Sequence, residues 1–150
     1  QDAIELKRFD IQDGLGVKML RWAGITVAIV SGRVSEATAW CAEELGVDEC
    51  HQDPDAKKLP VVQKLLDDRG LGWQEAAMLG DDLADLPVLE RVALPVAVSN
   101  AVPEVHAVSR WTTEAAGGRG AVREFARELL MARGEWDGLV REYCEARSRQ

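Results

Sequence analysis

The sequence predicts an α/β fold in which one doubly wound, Rossmann-like parallel sheet is covered by helices on both faces, in three layers. Two observations predict it. Short apolar runs alternate with helical segments of about ten residues, which is the pattern of right-handed βαβ crossovers. The length of 150 residues fits one ordinary domain with a single core. We therefore expect one domain over residues 1–150, and no repeat or linker divides it.

The first half of the chain contains three predicted helices and two predicted strands. In order, they are a helix over about 15–23, a strand over 26–30, a helix capped by Ser35, a weak strand near 49–51 and a helix opening at Pro60. The helices end at Gly24, Gly46 and Gly70, because glycine is the residue that most readily adopts the left-handed conformation that closes a helix.

The second half continues the alternation. Its predicted elements are a strand over 76–79, a short helix over 86–92, a strand over 95–98, a helical turn over 103–107, an uncertain strand over 108–112, a helix over 121–133 and a last helical piece through Cys144. Pro87 and Pro103 stand near helix starts, where their missing N–H groups cost nothing.

The composition narrows the function. The chain has 18 Lys+Arg against 26 Asp+Glu, a net charge of −8, and this argues against nucleic acid or an anionic membrane as the partner. Its three cysteines form no CxxC pair and no apolar run is long enough to span a membrane, so a reducing cytoplasm is expected. Any anionic ligand must be held by a local cluster of donors or by a metal.

Polar motifs follow three of the predicted strands. They are Ser31-Gly32-Arg33, Lys57-Lys58 and Gly80-Asp81-Asp82 with Asp85. In open α/β sheets, ligands bind outside the carboxyl ends of the strands. A hydroxyl and an ammonium group there suit a phosphate, and adjacent carboxylates suit Mg²⁺. Each motif also has a plainer interpretation, as a turn, a surface lysine or, at Asp85, a helix N-cap.

The chain resembles the haloacid dehalogenase (HAD) superfamily of phosphatases, in the small branch without a large cap domain whose members act on octulosonate and nonulosonate phosphates. The stretches that carry the resemblance are residues 7–16, 24–33, 58–60, 80–88 and 117–124. They are distributed along the chain, so that the likeness spans nearly all of it, and the fold, activity and assembly of that family become expectations.

The resemblance implies a role for each matching residue. Ser31, Lys58 and Asp81 are the expected catalytic residues, binding the phosphoryl group, neutralising its charge and holding Mg²⁺; Asp82 is the second metal-site carboxylate. The expected contacts to the substrate, a small phosphorylated sugar acid, are Asp13, Gly14, Gly32, Arg33, Lys58 and Arg119. The resemblance also implies a homotetramer in which neighbouring subunits cover the sites.

Two departures from the family pattern stand out. The nucleophile of the family lies in an Asp-x-Asp motif on the first strand, and we expect that strand to precede Gln1. The only Asp-x-Asp here is Asp53-Pro54-Asp55, in a proline-containing loop after the wrong strand. Cys41 stands where relatives often have an arginine near the substrate, which leaves the particular sugar phosphate open.

Three functions fit the sequence to different degrees. The first is a Mg²⁺-dependent phosphomonoesterase that forms an aspartyl-phosphate. The second is a non-catalytic assembly module, like the similar domains fused to sialic-acid cytidylyltransferases. The third is a phosphoacceptor receiver domain. The combination of Ser31, Lys58 and Asp81 favours the enzyme, because an assembly module needs no such arrangement of charge.

Overall fold

The computed structural model describes residues 11–32, 36–55 and 57–149, with backbone alone for 36–38, 40 and 41. Its helices are α1 (Ile11–Trp22), α2 (Glu36–Leu45), α3 (Lys58–Asp68), α4 (Leu86–Leu89), α5 (Pro103–Val108), α6 (Ala121–Ala132) and α7 (Trp136–Ser148). Its strands are β1 (Ala28–Ser31), β2 (Glu49–Gln52), β3 (Ala77–Gly80), β4 (Leu94–Ala97) and β5 (Trp111–Thr112). Short 3₁₀ helices occupy Trp73–Glu75 and Leu83–Asp85.

All strand pairs among the described residues are parallel, and they form two groups. β1 pairs with β2, so that Ser31 lies opposite Gln52. β3 pairs with β4, and β4 with β5. Helices cover the strands on both sides, which confirms the predicted α/β class. The carboxyl ends of β1 and β3 carry Ser31 and Gly80, so the motifs of interest follow strand ends as predicted.

One apolar core joins the two groups of strands. Met19 and Leu20 of α1 pack with Val96 of β4 and with Phe125 and Leu130 of α6. Two apolar side chains, Val27 just before β1 and Leu79 in β3, pack against this same cluster. Helix α1 therefore lies against α6 and ties the β1–β2 group to the β3–β4–β5 group. Burial of such side chains, at about 1.5–3 kcal/mol each, is the main stabilising term.

The side chain of Asp48 also stabilises the first group of strands. The Asp48 carboxylate accepts the Val27 N–H at 2.7 Å and the Arg21 guanidinium at 3.2 Å. Although partial burial opposes ionisation, the Val27 N–H and Arg21 hold the pKa of Asp48 below its usual value. The end of α1, the segment entering β1 and the turn before β2 are thereby held together.

Most predicted elements are confirmed, with small shifts at their ends. The first helix begins at Ile11 rather than near residue 15, the first strand is displaced toward Ser31, and the last strand shrinks to Trp111–Thr112. The predicted terminators Gly24, Gly46 and Gly70 all have positive φ, as does Gly134. Ser35 lies outside the described residues. In the part of the chain that is described, no helix has the length and apolar character needed to cross a membrane.

Candidate active site

A buried ion pair forms the centre of the site. Lys58 is the first residue of α3, and its Nζ donates to Oδ1 of Asp85 at 2.6 Å. Both side chains are shielded from water, with 13% of Lys58 and 4% of Asp85 exposed. Lys58 is thus not the solvated surface lysine of the plainer interpretation. The pair joins the segment after β2 to the segment after β3.

Asp85 also shapes the loop that follows β3. Its Oδ2 accepts the N–H groups of Asp81 at 2.9 Å and Asp82 at 3.2 Å. Although burial opposes ionisation, Lys58 and these N–H groups hold the pKa of Asp85 below its usual range. Asp85 occupies the N-cap position of α4, as the plainer interpretation predicted, but its side chain makes no cap hydrogen bond to that helix. The side chain instead accepts the Asp82 N–H in the capping box of the short helix 83–85.

Gly80 is required for that close approach. A Cβ atom on Gly80 would lie 2.8 Å from Leu89 Cδ1, 3.0 Å from Asp85 Cβ and 3.2 Å from Asp85 Oδ2. Because contacts below about 3 Å are repulsive, a larger residue would push Asp85 away from the loop. The glycine therefore permits Asp85 to reach both Lys58 and the Asp81 backbone.

Asp81 and Asp82 stand at the exposed rim of this arrangement. Partial burial of the carboxyl group, and then the neighbouring Asp85, raise the pKa of Asp81, while the charge of Lys58 offsets part of the rise. Asp82 begins the short helix 83–85, where its Oδ1 accepts the Leu83 N–H at 2.7 Å. The Asp81 carbonyl oxygen accepts the N–H of Val102, which fixes the loop against the segment after β4.

The donor set here fits a hard divalent cation in part. Mg²⁺ in proteins is held by one or two carboxylates, and waters and phosphate oxygens complete its octahedron. Asp81 and Asp82 supply carboxylates of that kind at the rim, and the charge of Lys58 acts on Asp81. Within the described ranges no group of three or more His, Cys, Asp or Glu side chains is arranged to enclose a metal.

Ser31 lies at the carboxyl end of β1 and is linked to the Lys58 segment through the backbone. Its carbonyl oxygen accepts the N–H of Asp53, the first residue past β2, at 2.9 Å. Gly32 continues from Ser31 as a bend, while Arg33 lies outside the described residues. Helix α3 packs against β1, so Ser31 and Lys58 belong to the same edge of the molecule.

Asp13 and Gly14, which were expected to contact the substrate, lie within α1. Asp13 is 8% exposed, and its carboxylate accepts the N–H of Arg123 at 2.9 Å and that of Gly120 at 3.3 Å. It therefore caps α6 from a neighbouring helix. A Cβ on Gly14 would lie 2.9 Å from Leu45 Cδ2, so Gly14 faces α2. These contacts assign both residues to packing between helices.

The glycine-rich segment 117–120 is held by several side chains. The Gly117 N–H donates to Asn100 Oδ1 at 3.0 Å, and the carboxylate of Glu124 accepts the N–H groups of Glu114 and Ala115. Asn100 lies in the same loop as Val102, which contacts Asp81. The segment is thus tied to the site loop, and it presents Arg119 at the surface.

Three of these contacts could not be predicted from the sequence. The roles of Asn100 and Glu124 leave no recognisable pattern, because each binds backbone groups 9 to 17 positions away. Asp85 is visible in the sequence as the third acid after Gly80, but its pairing with Lys58 joins residues 27 positions apart. The side chain of Cys41 lies outside the described set, so its relation to the site stays a prediction.

The groups at this edge of the molecule are of the kind that phosphoryl transfer uses. A fixed ammonium group, a hydroxyl residue at a strand end and rim carboxylates suit an anion with a divalent cation, since phosphoryl transfer depends on positioning and charge neutralisation. The sequence model of the family of haloacid dehalogenase-like hydrolases matches residues 52–125 of this chain, which include Lys58, Asp81 and Asp85. The chain belongs to the haloacid dehalogenase-like hydrolases, as its relatives also show.

The relatives are phosphatases. The 3-deoxy-D-manno-octulosonate 8-phosphate phosphatase KdsC of Escherichia coli K12 is 38% identical over 133 residues, covering 89% of this chain and 70% of that protein. A probable yrbI family phosphatase from Pseudomonas syringae has a TM-score of 0.91 and 42% identity, covering 96% and 81% of the two chains. This chain is accordingly a phosphatase of the HAD type.

The structure of a third relative was solved in complex with ligands. The 3-deoxy-D-manno-octulosonate 8-phosphate phosphatase of Moraxella catarrhalis, solved with magnesium, phosphate and KDO, has a TM-score of 0.89 at 34% identity. The match covers 94% of this chain and 80% of that one. That relative therefore binds a magnesium ion, a phosphate ion and KDO.

Proposed function

We propose that this phosphatase hydrolyses the phosphate monoester of a small acidic sugar, of the octulosonate or nonulosonate class, with Mg²⁺ as cofactor. The observation that carries the proposal is the buried Lys58–Asp85 pair beside Asp81 at the carboxyl edge of the strands. A cationic group shielded from water interacts strongly with a phosphate, because little solvent screens it. Relatives that act on 3-deoxy-D-manno-octulosonate 8-phosphate support the substrate class.

Each residue has a distinct part in the proposal. Lys58 neutralises charge on the phosphoryl group, and its Nζ is held in place by Asp85. Ser31 donates from its hydroxyl to a phosphoryl oxygen. Asp81 and Asp82 hold the metal, which when bound offsets negative charge on the transferred phosphoryl group. The nucleophile of the proposed aspartyl-phosphate is an aspartate outside the described residues.

The remaining residues belong to substrate recognition. Gly32 and Arg33 follow Ser31 in the chain, and Arg119 stands exposed on the loop anchored by Asn100. We assign Arg119 and Arg33 to the carboxylate or hydroxyl groups of the sugar acid, because guanidinium groups bind carboxylates in a bidentate manner. Asp13 and Gly14 are left out of the proposed contacts, because the Asp13 carboxylate accepts N–H groups at the start of α6 and Gly14 faces α2. The proposal also includes a homotetramer in the cytoplasm.

Steady-state hydrolysis by the full-length protein tests this proposal. With Mg²⁺ present, p-nitrophenyl phosphate and octulosonate or nonulosonate phosphates are the substrates, and phosphate release is measured. We expect turnover with a preference for the sugar acid phosphates, and we expect Asp81→Asn to reduce kcat by at least about 100-fold, a typical loss for an electrostatic group in the site. Tight assembly with no turnover of any of these esters would contradict the proposal and favour a non-catalytic assembly module.

A further inference from the structure

Asp53 lies at the junction of two segments that carry the proposed site. It is the first residue past β2, and its N–H donates to the carbonyl oxygen of Ser31 at 2.9 Å, extending the β1–β2 ladder by one hydrogen bond. The backbone of Asp53 is therefore fixed against the end of β1. Ser31 and Asp53 leave the sheet side by side.

The carboxylate of Asp53 then organises the loop that leads to α3. Its Oδ1 accepts the N–H of Asp55 at 2.9 Å, and its Oδ2 accepts the N–H of Lys57 at 3.3 Å. An aspartate that binds backbone groups two and four positions ahead stabilises a turn. Both oxygens are committed to this turn, which agrees with the sequence argument that Asp53-Pro54-Asp55 is not the nucleophile motif.

This turn determines where Lys58 begins its helix. Lys57, whose N–H binds Asp53, is the residue directly before α3, and it makes no side-chain cap hydrogen bond there. Lys58 must begin α3 at a point from which its Nζ reaches Asp85 at 2.6 Å. A displaced helix start would lengthen that contact or move the ammonium group away from the phosphate position.

We infer that Asp53 is a positioning residue, which sets the separation between Ser31 and Lys58 through one backbone and two side-chain hydrogen bonds. The inference rests on the proposed function, since it concerns the residues that bind the phosphoryl group there. Asp53 itself touches neither substrate nor metal in this role. Its effect reaches the reaction through Lys58.

Matched substitutions in the full-length protein test the inference. Asp53→Ala removes both side-chain hydrogen bonds, Asp53→Asn keeps an oxygen that accepts the Asp55 N–H, and Asp55→Ala removes an exposed carboxylate two residues away. We expect kcat/KM for p-nitrophenyl phosphate to fall about 10- to 100-fold in Asp53→Ala, because a displacement of about 1 Å can cost that much. Asp53→Asn should recover most of the loss, and Asp55→Ala should match the wild type.

A second measurement separates positioning from a loss of folding. The Kd for inorganic phosphate with Mg²⁺ present is measured by calorimetry for Asp53→Ala in the wild-type and Lys58→Ala backgrounds. We expect Asp53→Ala to weaken phosphate binding about 10-fold with Lys58 present and not at all without it, since residues acting through one another are not additive. A merely structural role would weaken binding equally in both backgrounds.

The outcomes distinguish this inference from the proposed function. An active wild-type enzyme in which Asp53→Ala and Asp55→Ala behave alike overturns the positioning role and leaves the function intact. If the wild-type protein binds phosphate but does not hydrolyse the ester, the proposed function is contradicted. The positioning role of Asp53 is then decided by comparing the Kd values for phosphate in the two backgrounds. A protein that neither hydrolyses the ester nor binds phosphate overturns both.

Discussion

At the scale of single residues, two ion pairs with nearly equal N···O distances have different consequences because one is buried and the other is exposed. The Lys58–Asp85 pair spans 2.6 Å with both side chains nearly buried, whereas the Lys64–Asp68 pair spans 2.7 Å with both largely exposed. Water and ions screen the exposed pair, while the buried one has only its partner and nearby backbone N–H groups to compensate its charge. Removing one member of the buried pair should therefore lower the stability of the protein, whereas removing one member of the exposed pair should not.

We expect Asp85→Ala to lower the free energy of unfolding by about 3–5 kcal/mol, because it leaves the ammonium of Lys58 buried and uncompensated. The same change removes the acceptor for the N–H groups of Asp81 and Asp82, so activity should be lost as well. Urea titration of Asp85→Ala and of the wild-type protein at pH 7 measures the difference in the free energy of unfolding.

The control is Asp68→Ala, which deletes the carboxylate of the exposed pair within α3. Its unfolding curve should coincide with that of the wild type. Equal destabilisation by the two substitutions would show that burial of the Lys58–Asp85 pair is not what makes Asp85 important.

Single residues also show where sequence reasoning reaches its limit. Ser31, Lys58 and Asp81 could be selected because each follows a strand, and strand ends are where sites of this fold lie. Asp13 was expected at the substrate from the family resemblance alone, yet its carboxylate accepts N–H groups more than 100 residues away. Contacts between such distant residues are set by how helices pack, and local sequence carries no record of them.

At the scale of elements, the contact between α1 and α6 depends on a glycine. A Cβ on Gly16 would lie 3.0 Å from the Arg123 Cα and 3.4 Å from its backbone nitrogen. Backbone atoms of a packed helix cannot move aside as a flexible side chain can. The two helices therefore approach as closely as they do because Gly16 has no side chain.

We expect Gly16→Ala to lower the free energy of unfolding by about 1–3 kcal/mol, the usual cost of overpacking, despite the better helix propensity of alanine. The matched control is Gly138→Ala in α7, where a Cβ would meet nothing within 4 Å. That substitution should stabilise the protein by up to about 1 kcal/mol. Thermal and urea unfolding of both variants measure the change in the free energy of unfolding, which should be negative for Gly16→Ala and positive for Gly138→Ala. A stabilised Gly16→Ala variant would contradict the close-packing argument.

The elements themselves were largely predictable, because each has a local cause. Glycines with positive φ end α1, α2, α3 and α6, and prolines stand in the first turns of α4 and α5. The exact strand ends were less so, as β5 illustrates. It pairs over only two residues of a five-residue prediction, since partners in β4 decide how far a strand extends.

At the scale of the whole molecule, the site is assembled from parts that are distant in sequence. The described strands fall into two groups, and both a shared apolar core and the Lys58–Asp85 pair connect them. The sequence predicted the class and the edge where the motifs lie, because alternation of strands and helices fixes both. It did not predict the networks of Asp85, Asn100 and Glu124, which exist only once the groups have packed together.

A metal bound at Asp81 and Asp82 should stabilise the folded protein as a whole. A ligand that binds only the folded state adds about 2.7 kcal/mol when its concentration is 100 times its Kd, which for a domain of this size raises Tm by about 5–10 °C. We expect Mg²⁺ to produce such a shift in the full-length protein, and EDTA to reverse it. Asp81→Asn should abolish the shift because it removes a charged oxygen ligand, whereas Asp55→Asn, an exposed acid after β2, should retain it. Differential scanning calorimetry at several Mg²⁺ concentrations measures both, and a full shift in Asp81→Asn would place the metal elsewhere in the protein.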